Sequence, residues 1–234
     1  MYVFENGKII NKKIEKTPQK NLTVMFTGSF SNGKSTLINA LLRRQLLKTS
    51  IIPETAVVTK IVNGKSDDLV TVTFRDSERA DITIPYEVYK KEFRMDEWRF
   101  YKFKEISYVT VTAETQNKAV TFIDSPADAI AYTLDEDIIS LTRKADVVVM
   151  VLGATRLGSA GEKDYIQKCF AGRGLDNVFF VVNRYNALKS EDVEEFSKHL
   201  KDLIGCAFTD ADGNFNQELY DRRVFPIDAY TSEC

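Results

Sequence analysis

The chain has 234 residues, of which 44% are hydrophobic and 28% are charged, and its formal net charge is −2 at pH 7. A chain of this length buries on the order of 70% of the surface that its unfolded form exposes, so it can fold around its own core without a disulfide or a metal. The 32 basic and 34 acidic residues are interspersed, which gives no reason to expect a nucleic-acid partner. The cysteines are odd in number and lack Cys-x-x-Cys spacing, which favours reduced thiols in a cytoplasmic protein.

Residues 1–20 are interpreted as a polar amino-terminal segment, and residues 21–234 as one folded domain. The first segment is rich in lysine and lacks the apolar stretch of a secretion signal. No segment of the chain reaches the roughly eighteen consecutive apolar residues of a membrane-spanning helix. We therefore expect a soluble chain that does not cross a membrane.

Apolar strand-like runs alternate with amphipathic helical runs along the second segment, which is typical of an α/β fold with a sheet flanked by helices. The predicted strands lie at about residues 22–27, 57–63, 69–75, 80–84, 106–113, 119–123, 146–152, 177–182 and 223–227. The predicted helices lie at about residues 34–46, 86–93, 136–143, 160–171, 190–204 and 215–221.

Two apolar runs, residues 145–152 and 178–182, are expected of parallel strands that are covered on both faces. We expect both of them in the centre of a mostly parallel sheet. Between residues 64 and 113 the strands alternate in polarity, with turns at Asn63-Gly64 and Asp76-Ser77. This part is expected to form an antiparallel extension at the edge of the sheet.

The connection between the strand at 22–27 and the helix at 34–46 has the pattern of a phosphate-binding loop. It consists of Gly28, Ser29, Phe30, Ser31, Asn32, Gly33, Lys34, Ser35 and Thr36. Glycine at both ends lets the backbone wrap a polyphosphate closely enough to aim successive N–H groups at its oxygens. Lys34 would neutralise the β and γ phosphates, and Ser35 would ligate Mg²⁺ at the positive end of the helix dipole. The pattern predicts that the whole loop lines a site for a nucleoside triphosphate.

A later strand ends in Asp124-Ser125-Pro126-Ala127, which places Asp124 where open α/β sheets bind ligands. A carboxylate there can hold Mg²⁺ through a water molecule, and the backbone N–H of Ala127 can reach a γ phosphate. The same tetrapeptide is also a common turn. The phosphate-binding loop upstream favours the functional interpretation.

Another candidate lies in residues 52–59, between the first helix of the domain and the next strand. In enzymes that sense a γ phosphate, this connection supplies a threonine that ligates Mg²⁺ and helps to fix the attacking water. Thr55 is the candidate for this role. Thr59 is the alternative, although its place at the start of an apolar run favours a structural role, and Thr55 could also be a loop residue without a ligand.

The strand at 177–182 leads into Asn183-Arg184-Tyr185-Asn186, the position of the base-reading loop of GTPases, whose usual form is Asn-Lys-x-Asp. With this element in order, the chain resembles the GTPase domain of the dynamin superfamily, and most closely the bacterial dynamin-like proteins. The resemblance covers about residues 20–230 and is carried by residues 28–42, 53–56, 172–175 and 178–183.

The resemblance implies a P-loop NTPase fold of the GTPase type, with helices on both faces of the sheet, and Mg²⁺-dependent hydrolysis of GTP. The catalytic residues would be Ser31, Lys34 and Thr55, and the residues at the metal would be Ser35, Thr55 and Asp124. It also implies a homodimer across the nucleotide face and membrane remodelling by a full-length protein. That protein would be cytoplasmic or peripheral at a membrane, which it would touch through regions outside this chain. No helical stalk of the family's kind is expected within these residues.

Two loop positions bear on how water would be held. Ser31 matches a position associated in the family with the region that bridges the β and γ phosphates or with a bound monovalent cation. Phe30 stands where eukaryotic dynamins place a glutamine that orients water. The water would therefore be positioned by backbone groups, by Thr55 or by a partner chain.

The base-reading loop also departs from the family pattern. Asn186 replaces the aspartate, and a carboxamide offers guanine only one oxygen together with a mismatched N–H₂ group. Arg184 can still lay its stem and guanidinium along a base, and Asp228 and Ala229 match the final base-contacting loop of the family. We therefore expect a weak or relaxed preference for guanine.

An active GTPase is the main functional prediction. The alternative is a nucleotide-binding module with weak hydrolysis and relaxed base specificity that acts as an interaction switch, and it is supported by Phe30, Ala127 and Asn186. An ATPase of another P-loop lineage is disfavoured, because no apolar strand ends in the paired Asp-Glu that such enzymes often use.

Overall fold

A computed structural model describes residues 2–5, 8–11, 21–29, 31–47, 57–64, 68–92, 105–126, 136–170, 177–210 and 212–229. The strands are β1 (Tyr2–Glu5), β2 (Lys8–Asn11), β3 (Leu22–Thr27), β4 (Val58–Asn63), β5 (Leu69–Phe74), β6 (Ile82–Pro85), β7 (Ile106–Ala113), β8 (Val120–Asp124), β9 (Val147–Gly153), β10 (Val178–Asn183) and β11 (Val224–Pro226). The α-helices are α1 (Lys34–Leu42), α2 (Tyr86–Glu92), α3 (Glu136–Lys144), α4 (Ala160–Phe170), α5 (Val193–Ile204) and α6 (Gln217–Arg223). Short 3₁₀ helices lie at Tyr185–Ala187, Ser190–Asp192 and Gly205–Phe208.

One mixed sheet has the strand order β11-β10-β9-β3-β8-β4-β7-β5-β6. From β11 to β8 the neighbouring strands are parallel. β4 lies antiparallel to β8 and parallel to β7, and β5 and β6 follow from β7 as antiparallel strands. The predicted α/β fold, with a mostly parallel sheet and an antiparallel edge extension, is confirmed.

The turn at Asn63-Gly64 does not join two paired strands. β7 lies between β4 and β5, and Asn63 at the end of β4 is opposite Ala113 of β7 in a parallel pair. The turn predicted at Asp76-Ser77, in contrast, does lie between the antiparallel partners β5 and β6. Turn-forming residues indicate where a strand ends. They do not determine which other strand pairs with it in the sheet. β7 pairs with both neighbours along nearly its whole length.

β9 lies inside the sheet as predicted, but β10 lies next to the short edge strand β11 and not in the centre. Val178, Phe180 and Val182 of β10 are nevertheless buried, and they belong to the same core cluster as Phe196 and Leu200 of α5. A continuously apolar run therefore indicates that both faces of a strand are covered. It does not indicate where the strand lies across the sheet.

α1 ends at Leu42, four residues before the predicted end at about residue 46. Arg43 adopts a left-handed conformation with φ 52°, which stops the helix. The side-chain oxygen of Asn39 then accepts hydrogen bonds from the backbone N–H groups of Leu46 at 3.1 Å and Leu47 at 2.9 Å. The two leucines are buried, so they fit the apolar pattern of the helix without being part of it.

Three further differences concern element boundaries and number. α6 begins at Gln217, two residues after the predicted start, because the side chain of Asn216 accepts a hydrogen bond from the backbone N–H of Leu219 at 2.9 Å and caps the helix. The helix predicted from residue 190 is a 3₁₀ turn until α5 begins at Val193. β1 and β2 pair as a hairpin in the amino-terminal segment, where no strand was predicted. The domain boundary at residue 20 stays a prediction.

Alternate residues of β9 pack on opposite faces of the sheet, since Met150 and Leu152 belong to one core cluster and Val151 to the other. The first cluster includes residues of α3, α4 and α5, and the second includes residues of α1 and α2. Helices therefore cover both faces, as the predicted three-layer fold requires. Among the described helices, none is long and apolar enough to cross a bilayer.

We expect Phe180→Ala to lower the free energy of unfolding by about 3–5 kcal/mol, because the ring is fully buried and its removal leaves a cavity. The ring packs against Phe170 and Phe208, with centroid distances of 5.7 Å and 5.5 Å. The matched control is Phe225→Ala on β11, where the ring is 42% exposed and the expected loss is below about 1 kcal/mol. Chemical denaturation of the three proteins measures the difference, and equal losses for both variants would contradict the position assigned to β10.

Candidate nucleotide-binding site

Four strand ends meet at one edge of the sheet. β10, β9, β3 and β8 are parallel neighbours, so the residues at their carboxyl ends lie side by side. They are Asn183 at the end of β10, Gly153 at the end of β9, Gly28 after β3 and Asp124 at the end of β8. Open α/β sheets bind ligands at this edge. The fold thus brings the predicted phosphate-binding loop, Asp124 and the predicted base-reading loop together.

Both glycines of the phosphate-binding loop lie where a side chain cannot be accommodated. Gly28 has φ 145°, and a Cβ atom on it would lie 2.1 Å from the carbonyl oxygen of Val151. Gly33 has φ 87°, and a Cβ atom on it would lie 2.2 Å from Nδ2 of Asn183. The loop therefore packs directly against the ends of β9 and β10, with no room for a side chain between them.

Lys34 is the first residue of α1, and its side chain is turned back into the loop. The residue is only 6% exposed, and Nζ donates hydrogen bonds to the carbonyl oxygens of Gly28 at 2.9 Å and Ser29 at 3.2 Å. The ammonium group therefore lies inside the curve of the loop, at the amino-terminal end of α1. Both the cation and the helix dipole favour an anion at this place.

Ser35 and Asp124 are joined across the site. Oγ of Ser35 donates a hydrogen bond of 2.6 Å to Oδ2 of Asp124, whose side chain is completely buried. The second carboxylate oxygen, Oδ1, is also buried and has no hydrogen-bond partner among the described residues. Burial raises the pKa of Asp124 to about 6, while the charge of Lys34 and the hydrogen bond from Ser35 act in the opposite direction.

The other residues predicted around the phosphates are placed as follows. Ser31 is half-buried with a left-handed φ of 61°, and Thr36 is half-buried on the first turn of α1. Thr59 lies opposite Asp124 in the pairing of β4 with β8, and its hydroxyl donates to the carbonyl oxygen of Val57 at 3.4 Å. Phe30, Thr55 and Ala127 lie outside the described residues, so the roles predicted for them stay predictions.

Asn183 ties three loops together. Its Nδ2 donates a hydrogen bond of 2.9 Å to the main-chain oxygen of Asn32, and its Oδ1 accepts from the backbone N–H groups of Arg184 and Ala229, each at 2.9 Å. The side chain is 3% exposed. Both ends of its amide thus hold the phosphate-binding loop, the base-reading loop and the last loop in one arrangement.

The base-reading loop presents two of its side chains, Arg184 and Asn186, to solvent, whereas Tyr185 is half-buried with its ring packed on Phe196. Arg184 has a left-handed φ of 60°, and both Arg184 and Asn186 are exposed. The backbone N–H of Tyr185 donates to the carbonyl oxygen of Ile227 at 3.1 Å, which places Asp228 directly beside this loop. The positions predicted to contact a base are therefore neighbours at the end of β10.

One buried residue of this region was not predicted. Glu162, in the first turn of α4, accepts a hydrogen bond from the side chain of Asn32 at 3.1 Å. The available signal was the Ser-x-x-Glu spacing from Ser159 to Glu162, which predicts a capping box at a helix start. The backbone N–H of Glu162 does bond to Oγ of Ser159 at 3.3 Å, but nothing in that spacing points to the phosphate-binding loop.

Residues 24–199 match the family model described as Dynamin family. The bacterial dynamin-like protein of Nostoc punctiforme is 25% identical over 222 residues, which cover 87% of this chain and 32% of that protein. Mitofusin-2 of Rattus norvegicus is 22% identical over 217 residues, which cover 92% of this chain and 29% of that protein. The chain thus spans about a third of the length of these relatives.

A solved structure of an oligomerised bacterial dynamin pair, studied for long-range sensing and tethering of membranes, superposes with a TM-score of 0.69 at 19% sequence identity. The superposition covers 94% of this chain and 35% of that one, so the sheet and helices described above have the fold of a known GTPase domain. The family match extends over most of the sheet and includes all four strand ends of the site, those at Gly28, Asp124, Gly153 and Asn183. This chain therefore belongs to the dynamin family and has the P-loop GTPase-domain fold of its members.

Proposed function

We propose that this chain binds GTP together with Mg²⁺ and hydrolyses it at the edge formed by the ends of β10, β9, β3 and β8. Membership of the dynamin family supports GTP binding and hydrolysis at the level of the family. The observation that carries the proposal for this chain is the pairing of Ser35 with a buried Asp124, next to a loop that encloses the ammonium of Lys34.

The phosphates would take the place of the loop's own carbonyl groups as partners of Lys34. Nζ donates hydrogen bonds to the main-chain oxygens of Gly28 and Ser29, which are neutral acceptors. Oxygens of a β or γ phosphate carry charge, and charge-assisted hydrogen bonds are roughly twice as strong as neutral ones. The backbone N–H groups of the loop and the amino terminus of α1 would hold the same oxygens.

Ser35 and Asp124 fit a magnesium ion. Mg²⁺ prefers hard oxygen ligands and keeps several waters, and it is usually held by one or two protein groups together with substrate phosphates. The buried Oδ1 of Asp124 has no partner among the described residues, and a metal-bound water would satisfy it. The described residues contain no group of three or more His, Cys, Asp or Glu side chains that could hold a metal alone. When bound, the ion would neutralise charge on the β and γ phosphates.

The attacking water is assigned to groups at the rim of the site. We keep Thr55 as a ligand of the metal that also fixes this water, and Ala127 as a backbone donor to the γ phosphate. We assign Ser31, which has a left-handed backbone conformation, to the bridge between the β and γ phosphates. These assignments depend on γ-phosphate contacts, which is how such loops sense the state of the nucleotide.

Self-association across the nucleotide face is the proposed consequence of GTP binding. The solved structure that this chain resembles is an oligomerised dynamin pair linked to tethering of membranes, and this supports pairing of chains. We place the chain at a membrane only as a peripheral part of a longer protein, where regions beyond it contact the lipid and the GTPase cycle contributes to membrane remodelling. No nucleic-acid partner is proposed.

A second candidate is a nucleotide-dependent switch with slow hydrolysis and relaxed base specificity. It is favoured by the exposed carboxamide of Asn186 at the position where the family has a carboxylate. The side-chain amide of Asn183 in this loop is already engaged by protein groups, since it donates to Asn32 and accepts from Arg184 and Ala229. Hydrogen bonds to the nucleotide base would therefore be made mainly by Asn186 and its neighbours.

Removal of the ammonium group should nearly abolish activity. We expect Lys34→Ala to lower the rate of phosphate release from GTP by about 10²–10³-fold, the usual loss when one preorganised donor to a developing anion is removed. The control is Lys198→Ala, which removes an exposed lysine of α5 and should leave the rate unchanged. Equal rates for the two variants would show that hydrolysis takes place elsewhere.

The raised pKa of Asp124 predicts a pH dependence of stability in the protein without nucleotide or metal. Its pKa of about 6 in the fold lies above the value of 3.8 expected in the unfolded chain, so the fold binds this proton more tightly. The stabilising contribution is complete below about pH 4 and is lost as pH rises through 6, at a total cost of up to about 3 kcal/mol.

Asp124→Asn removes the titrating group with little change in size, so it isolates this effect. Compared with the original protein, the free energy of unfolding of the variant should improve by about 1–3 kcal/mol between pH 4 and pH 7.5. Denaturant titrations at each pH, without Mg²⁺, measure it. A difference between the two proteins that does not change with pH would rule out a raised pKa at Asp124.

Restoring the carboxylate should restore the preference for guanine. We expect Asn186→Asp to raise the affinity for GTP relative to ATP and XTP by about ten- to a hundredfold, the value of one charge-assisted hydrogen bond. Calorimetric titrations with the three nucleotides in the presence of Mg²⁺ measure this ratio. Asn117→Asp, an equivalent change of an exposed residue in the turn before β8, is the control and should have no effect. An unchanged ratio in Asn186→Asp would mean that this loop does not read the base.

A further inference from the structure

The phosphate-binding loop changes direction at a buried residue, Asn32. Its neighbours Ser31 and Gly33 both have positive φ, 61° and 87°, so the backbone reverses on either side of it. Asn32 itself is 2% exposed. The backbone N–H groups of the loop residues after Asn32 would face the phosphates. Their direction therefore depends on how firmly Asn32 is held.

Asn32 is held from several directions. Its Nδ2 donates to the carbonyl oxygen of Val151 at 3.0 Å and to Oε1 of Glu162 at 3.1 Å. Its Oδ1 lies so close to Gly153 that a Cβ atom there would be only 2.7 Å away. Its main-chain oxygen accepts a hydrogen bond from Asn183 at 2.9 Å. Val151, Gly153 and Asn183 belong to the strands β9 and β10. Of the groups that hold Asn32, only the carboxylate of Glu162 comes from a helix, α4.

Glu162 is fixed at its other end as well. The residue is completely buried, and its Oε2 accepts a hydrogen bond from the backbone N–H of Gly158 at 3.0 Å. A buried carboxyl group is costly unless its oxygens have partners, and both oxygens here have one. The contact to Gly158 fixes the rotation of the group, so its first oxygen remains directed at Asn32.

We propose that Glu162 is a positioning residue for the nucleotide site, which acts by holding Asn32 and so keeps the phosphate-binding loop in its binding geometry. This inference rests on the function proposed above. Without Glu162, the loop occupies its binding geometry for only a fraction of the time, and the apparent dissociation constant rises by the inverse of that fraction. Saturating nucleotide restores the geometry, so kcat changes much less than affinity.

A double-mutant cycle between the two residues tests the mechanism. Glu162→Gln keeps the size of the side chain but replaces one carboxylate oxygen with an N–H₂ group. That group would face a donor, either Nδ2 of Asn32 or the backbone N–H of Gly158, so one of the two hydrogen bonds is lost. We expect it to raise the dissociation constants of GDP and GTP by about tenfold or more, with kcat within about threefold of the original. In an Asn32→Ala background, the same change should add less than about twofold, because Glu162 then has nothing to hold.

Two further variants separate positioning from general stability. Leu200→Ala removes a buried side chain of α5, which contributes none of the groups named above, and it should lower stability without changing nucleotide affinity. Gly153→Ala pushes on Oδ1 of Asn32, the other end of the amide that Glu162 contacts, and should weaken nucleotide binding while Glu162 stays intact. It serves as the test if the variants of Glu162 do not fold.

The possible outcomes are distinct. Unchanged affinity in Glu162→Gln overturns the proposal, and so does a tenfold loss that persists in the Asn32→Ala background. If the original protein binds neither GDP nor GTP, the proposed function fails first. Hydrogen exchange of the amides of residues 31–35 in the nucleotide-free protein then decides the positioning role. Faster exchange in Glu162→Gln than in the original protein supports it, and equal protection overturns it.

Discussion

Parallel pairing of β10, β9, β3 and β8 is the constraint on which the candidate site depends. Register places Asn183 opposite Gly153, Phe26 opposite Asp124 and Thr27 opposite Met150, so the four strands end within about four residues of one another. Each of these strands lies in the sheet because its apolar faces are buried there by helices on both sides. The polar residues that follow have no such requirement. They are nevertheless forced to one edge, because parallel strands end on the same side of a sheet.

Among the described residues, the buried charged side chains are those of Lys34, Asp124 and Glu162, and all three lie at the site or beside it. Lys34 and Asp124 are both largely removed from solvent, and burial of ionisable groups is unfavourable unless partners compensate for lost water. The compensation is incomplete at Asp124, whose pKa is raised and whose Oδ1 is unpartnered among the described residues. Perturbed groups of this kind cluster at functional sites, since a ligand supplies the missing interactions. The same buried groups therefore lower the stability of the free protein and favour binding of a ligand.

Local signals in the sequence predicted a large share of the fold. The start of α1 at Lys34 follows from glycine and a helical apolar pattern, and β3 and β7 are found where alternating or continuous apolar runs place them. Errors occur where a local pattern has two physical explanations. Leu46 and Leu47 continue the apolar spacing of a helix, yet Arg43 ends it and Asn39 holds the chain that follows. The turn at Asn63-Gly64 suggested neighbouring partners, yet β7 enters between them.

By itself, the sequence determined the chemistry available at the site: a glycine-bounded loop with Lys34 and Ser35, a carboxylate after a buried strand and a base-reading loop that lacks its usual aspartate. Spacing along the chain is sufficient for this, because a loop between a strand and a helix is a local structure. Only the tertiary structure decided how these parts hold one another. The hydrogen bond from Asn183 to Asn32 joins residues 151 positions apart, and that from Asn32 to Glu162 joins residues 130 positions apart. Contacts at such separations arise from strand order and helix packing, and no local pattern encodes them.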